Sequence, residues 1–138
     1  MQATVDNKTM NAVLTDLLAN LGVESVSEME LGEAYEVDMS DTVFMDLHVE
    51  KVRPNRLSIA HYYEQNGDLC PDPDVVFKPV EDRFVPVEIF RKSVLGATCE
   101  LDPDGVTGNS DFLETWAKNL RTQGHVEAAK TASSLGGA

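Results

Sequence analysis

At 138 residues the chain has the length of one domain, and 42% hydrophobic residues suffice for a packed core. No apolar run approaches the roughly 18 residues that span a bilayer, and the opening MQATVDNKTMNAVL lacks the basic and apolar regions of a signal peptide, so a cytoplasmic protein without a membrane partner is expected. The net charge is −13, from 24 acids against 11 bases. A surface of that sign disfavours direct binding to nucleic acid and favours a basic protein.

The first element is legible by period. Met10, Val13, Leu14, Leu17, Leu18 and Leu21 recur at helical spacing and form one apolar stripe. Asp6 or Asn7 is expected to cap this helix, and Gly22 sits where a left-handed residue ends one.

The next segment holds the charge anomaly. Residues 24–50 contain nine acids (Glu24, Glu28, Glu30, Glu33, Glu36, Asp38, Asp41, Asp46 and Glu50) and no Lys or Arg. The same stretch begins a series of alternating strands. Residues 34–39 put Tyr35, Val37 and Met39 on one side, with Glu36 and Asp38 on the other. Residues 42–52 put Val43, Met45, Leu47 and Val49 inward, with Asp46, His48 and Glu50 outward. A period of two marks a half-buried antiparallel sheet. Such a sheet would gather Glu36, Asp38, Asp46 and Glu50 on its outer face. The bland alternative is that the charge only maintains solubility.

After a turn at Pro54-Asn55, residues 56–63 alternate again, with Leu57, Ile59, His61 and Tyr63 inward. His61 in that position reads as a satisfied core histidine. The stretch EQNGDLCPDPDVVF (64–77) then crowds Asn66, Asp68, Asp72 and Asp74 into nine residues. It fits a calcium loop poorly, because its glycine follows Asn66 directly and the twelfth position from Asp68 is Pro79. A turn explains each residue. Asn66-Gly67 favours positive φ, Pro71 and Pro73 are expected to lead the chain out of the sheet, and Asp72 and Asp74 are expected to accept nearby backbone N–H groups. Asn66, Gly67, Asp68, Asp72 and Asp74 are therefore assigned a structural role, with no metal and no cofactor. Cys70 and Cys99 have no zinc spacing with a histidine; a reduced pair is the simpler reading, with a disulfide the alternative.

Residues 74–79, 84–90 and 94–101 read as further strands, with Pro86 placing the middle one at an edge or a bulge. Residues 110–124 are the second clear helix. Phe112, Leu113, Trp116, Ala117 and Leu120 share its face, Ser110 is the expected cap, and Gly124 ends it. The tail 127–138 is expected to fray. The sum is an α+β domain over residues 1–126: one antiparallel sheet of about five or six strands, with an N-terminal and a C-terminal helix on one face.

The stretch SIAHYYEQNGDLCPDPDVVF, followed by FLETWAKNLRTQG, resembles an uncharacterised domain family of phage, plasmid and other mobile-element genes. The resemblance covers residues 56–125. It implies a genomic setting and no mechanism. With the acidic segment, it leads to a non-enzymatic protein that binds a host or defence-system protein bearing a basic nucleic-acid-binding surface, as an anti-CRISPR or anti-restriction inhibitor of the DNA-mimic type. The rivals are a hydrolase or metal-dependent enzyme using Asp68, Asp72, Asp74 and His61, and a plasmid accessory or assembly module. No G-x-S-x-G, P-loop or H-E-x-x-H motif is present.

Overall fold

The computed structural model describes residues 8–65, 67–81, 83–93, 96–106 and 108–135. Helix α1 spans Lys8–Leu21. Six strands follow: β1 (Ala34–Val37), β2 (Leu47–Arg53), β3 (Arg56–Gln65), β4 (Asp68–Val80), β5 (Arg83–Ser93) and β6 (Gly96–Leu101). Helix α2 (Ser110–Thr122), a short α3 (His125–Ala128) and strand β7 (Ser133–Leu135) complete the order. The sheet runs β6-β5-β4-β3-β2-β1-β7, and every neighbouring pair is antiparallel. The fold is α+β, as the periodicities require.

One face of the sheet is covered by the helices. Met10, Leu14 and Leu17 of α1, with Leu113, Trp116 and Leu120 of α2, pack on Val37, Leu47, Val49, Leu57, Ile59, Phe77 and Ile89. Full burial of each such side chain contributes roughly 1.5–3 kcal/mol. The alternation fails in one place. Residues 42–46 are not a strand but part of an exposed connection; Val43 is 94% exposed, and Phe44 and Met45 are each 39% exposed. The strand begins only at Leu47, where an inward side chain first finds the helices to pack on.

The expected cap of α2 is not formed, and the expected caps of α1, Asp6 and Asn7, lie outside the described residues. The carboxylate of Glu114, on α2, accepts the N–H groups of Thr9 (3.4 Å) and Met10 (3.2 Å) and so serves the first turn of α1 from across the fold. Ser110 is already helical, and Asn109 stands at the cap position without a capping bond. The Asn109 side chain instead joins Glu100 of β6 to Arg91 of β5. Gly22 and Gly124 do take positive φ, 82° and 99°, at the ends of α1 and α2.

The sheet has three register shifts among the described residues, the first between Lys51 and Arg53 beside the β2–β3 turn. Strand β4 continues through Pro71 and Pro73, correcting the expectation that the chain leaves the sheet there. The ladder to β3 skips instead: Ala60 opposes Asp74, but Tyr62 opposes Pro71. That extra residue is a bulge, a position where a missing N–H is tolerated. Pro86 lies beside another bulge, between β4 and β5, in a part of β5 that the β6 ladder, running Glu88–Ser93, does not reach. Residues 127–135, expected to fray, form the end of α3, a 3₁₀ turn (Ala129–Thr131) and β7, which pairs with β1. No helix among the described residues is long and apolar enough to cross a membrane.

Candidate functional site

The nine acids of residues 24–50 do not share one face. The fold separates them into three groups. In the first, Val23, Val26 and Met29 turn into the core, which leaves Glu24, Glu28 and Glu30 exposed between them. Lys51 holds this segment from below. Its side chain is only 8% exposed, and its Nζ donates to the carbonyls of Val26 (3.0 Å) and Met29 (2.8 Å). The half-buried Glu33 accepts the Tyr35 hydroxyl (2.6 Å) and the Glu30 N–H (3.0 Å). The Tyr35 bond, then the Glu30 bond, hold the Glu33 carboxyl below its ordinary range, and the same contact pushes the Tyr35 phenol up to about 12.

The second group is on the outer face of the sheet. Glu36 and Glu50 flank His48, at 3.0 Å from Nδ1 and 3.1 Å from Nε2. Tyr62 meets the His48 ring edge-on at 5.4 Å. Nearby, Asp74 accepts the Ser58 hydroxyl at 2.7 Å, and burial raises its carboxyl above the ordinary value. Arg53 of β2 pairs with Glu88 of β5, so that contact lies across β3 and β4 on the same face. Ser58, Ala60 and Val76 beneath are buried. Sequence reasoning placed Glu36, His48 and Glu50 together but missed Ser58, Tyr62 and Asp74. Their parity on β3 and β4 was the available signal; the bulge that brings Asp74 opposite Ala60 was not.

The third group surrounds the β1–β2 connection. Asp38 accepts the Ser40 N–H at 2.8 Å; the Ser40 side chain first, then that N–H, lowers its carboxyl's pKa, and Asp41 is exposed. Asp46 does not face outward as expected. Its Oδ1 accepts the Met39 N–H (2.6 Å), and its carbonyl accepts Nδ1–H of His61 (2.8 Å). Trp116 Nε1–H donates to His61 Nε2 at 3.1 Å. An imidazole that donates on one side and accepts on the other is neutral, with its proton on Nδ1. Burial, the leading cause, lowers its pKa. His61 is therefore a structural histidine. A second buried histidine, His125, bonds the Met45 carbonyl at 2.7 Å through Nε2.

The aspartate-rich hairpin does not converge. Asn66 and the side chains of Asp68 and Cys70 lie outside the described residues. Gln65 pairs with Asp68, which leaves a two-residue connection, and Gly67 has φ 86°. Asp72 accepts a backbone N–H, that of Lys92 on the neighbouring strand (3.1 Å), whereas Asp74 is bound to a hydroxyl. Among the described residues, no three His, Cys, Asp or Glu side chains are placed to hold a metal ion. Cys99 is a free, exposed thiol.

What remains accessible is an acid-rich margin. Glu24, Glu28 and Glu30 precede β1 and Asp38 and Asp41 follow it, on either side of a four-residue strand. Among the described residues, none of these five carboxylates makes an ion pair.

A family model described as a domain of unknown function (DUF6908) matches residues 14–126. No curated protein and no solved structure matches.

Proposed function

The chain belongs to this family of domains of unknown function, DUF6908, and we propose that it is a binding protein whose acidic margin engages a basic, nucleic-acid-handling protein of a bacterial host. In this reading it is a phage- or plasmid-borne inhibitor of a defence system, an anti-CRISPR or anti-restriction protein that occupies a channel meant for DNA or RNA. The observation that carries the reading is the set of carboxylates on either side of β1. Among the described residues none of them makes an ion pair, so they project a negative field. Attraction from such a field accelerates encounter and weakens with salt, because the screening length is about 8 Å at physiological ionic strength.

The test is a cleavage assay with a panel of purified restriction and CRISPR nucleases, with and without the protein. Inhibition of at least one enzyme is expected, relieved by excess DNA and by salt. The triple variant Glu30→Lys, Asp38→Lys, Asp41→Lys should stay folded, since exposed substitutions cost within about 0.5 kcal/mol, and should lose the inhibition. No inhibition across the panel, or full inhibition by the folded variant, sinks the reading.

A further inference from the structure

Two cavities meet at the turn after α1. The larger, about 710 Å³, runs between the second half of α1 and the β4–β5 hairpin, and Leu18, Ala19, Val26, Pro79 and Phe84 supply its apolar wall. The smaller, about 330 Å³, is lined by Glu24, Glu28, Glu33 and Tyr35. Residues 22–25 border both, so an apolar groove opens beside an acidic pocket.

We propose that this composite groove binds a peptide segment of a partner protein in which apolar side chains stand next to a Lys or Arg. The inference rests on the reading of a basic partner and names where that partner is gripped. Three features favour it. The larger volume lies within the range of about 300–1,000 Å³ typical of ligand sites. The walls are already ordered: Leu18 and Val26 are core residues, and Lys51 fixes the Val26 and Met29 carbonyls. A preformed groove spends little of its binding energy on ordering. The charge is complementary, because the Glu33 carboxylate is held by Tyr35 and by the Glu30 N–H with Glu24 and Glu28 alongside it. A second copy of this chain fits poorly. Its most exposed large apolar residues, Val43, Leu101 and Leu31, stand near Asp41, between Glu100 and Asp102, and next to Glu30, and the acidic pocket would repel those carboxylates.

The experiment pans a phage-displayed library of random peptides against the full chain. Selected peptides are synthesised and their affinities measured by fluorescence anisotropy at low and high salt. The expected winners combine apolar residues with Lys or Arg. Ala19→Trp, which fills the groove from an exposed helix position, should weaken them by about tenfold or more. Glu24→Lys with Glu28→Lys should weaken them at low salt, by a factor that shrinks as salt is added. Circular dichroism verifies that both variants are folded. Winners that bind Ala19→Trp unchanged, winners without basic residues, or no winners at all overturn the proposal. Polylysine, which has no apolar side chain to dock, probes the wider acidic surface separately. If it binds wild type and the Glu30, Asp38, Asp41 variant equally, the acidic-margin reading fails, while sensitivity to Ala19→Trp still decides the groove.

Discussion

The two halves of the acid-only segment are alike in composition and differ in fate, although Asp38 and Asp41 of the second half stay exposed. In residues 24–33, core residues at every third position pull the backbone down, and three of four carboxylates face solvent. In residues 34–50, the chain enters the sheet. There Glu36 and Glu50 are matched to His48, and Asp46 is spent on a backbone N–H. A run of acids is therefore not in itself an acidic surface. Its field depends on which carboxylates the local geometry compensates, and in the first half the compensating cation, Lys51, bonds carbonyls rather than carboxylates.

The most severe way to break this contrast is to remove the support of the first half. Lys51→Met takes the ammonium donor from the Met29 carbonyl and one of two donors from the Val26 carbonyl, which keeps the Met29 N–H, at a cost of about 2 kcal/mol. Urea unfolding should show that loss, together with weaker peptide binding in the groove. A loss of under about 1 kcal/mol, roughly the net value of one ordinary hydrogen bond, would mean that the 24–33 segment does not depend on Lys51.

Asp46→Ala attacks the second half in the same manner. It removes a charged acceptor from the Met39 N–H and should cost about 2 kcal/mol. Glu36→Gln, on the open face, should cost far less. Equal losses in thermal unfolding would erase the distinction between a carboxylate used inside the fold and one beside His48.

A smaller effect is expected from pH. The folded pKa of His61 is lowered from 6.5, so the unfolded chain takes up the proton more readily than the folded one. The stability contributed by neutral His61 is present above pH 6.5 and is lost as pH falls below it. Asp74, with its raised pKa, acts with the opposite sign at more acidic pH, because the folded state takes up that proton first. A urea midpoint series from pH 7.5 downward, marking roughly one unit above the ordinary histidine range, should decline for wild type and flatten in His61→Phe. An unchanged slope in the variant assigns the titration to another group.

The fold was legible wherever a period ran unbroken into a packing surface. Met10 through Leu21, Leu47 through Ile59, and Leu113 through Leu120 are correct because each inward position has a partner. Val43 and Met45 obey the same alternation and face solvent, since periodicity specifies parity but not where pairing begins. The role of Lys51 was not legible for a related reason. A lysine at an inward position reads as a strand's solvated end, and only the tertiary arrangement reveals the carbonyls that satisfy it. The candidate groove was illegible in full. Its walls, at 15–26 and 79–84, come from elements far apart in sequence. The acids lining its smaller pocket were identified, but not the apolar cavity beside them.

The carboxylate of Glu114 closes the first turn of α1 across an interval of more than a hundred residues. Asn20 likewise reaches the Val126 carbonyl, and Arg121 pairs with Asp16. During synthesis α1 leaves the ribosome long before any of these partners exists. It must wait, uncapped and with its apolar stripe bare, while the meander of strands is made. Proteins whose defining contacts are distant along the chain fold slowly, because loop closure precedes the reward. A chaperone that shields the α1 stripe during that interval would act on an early element several of whose native contacts arrive late.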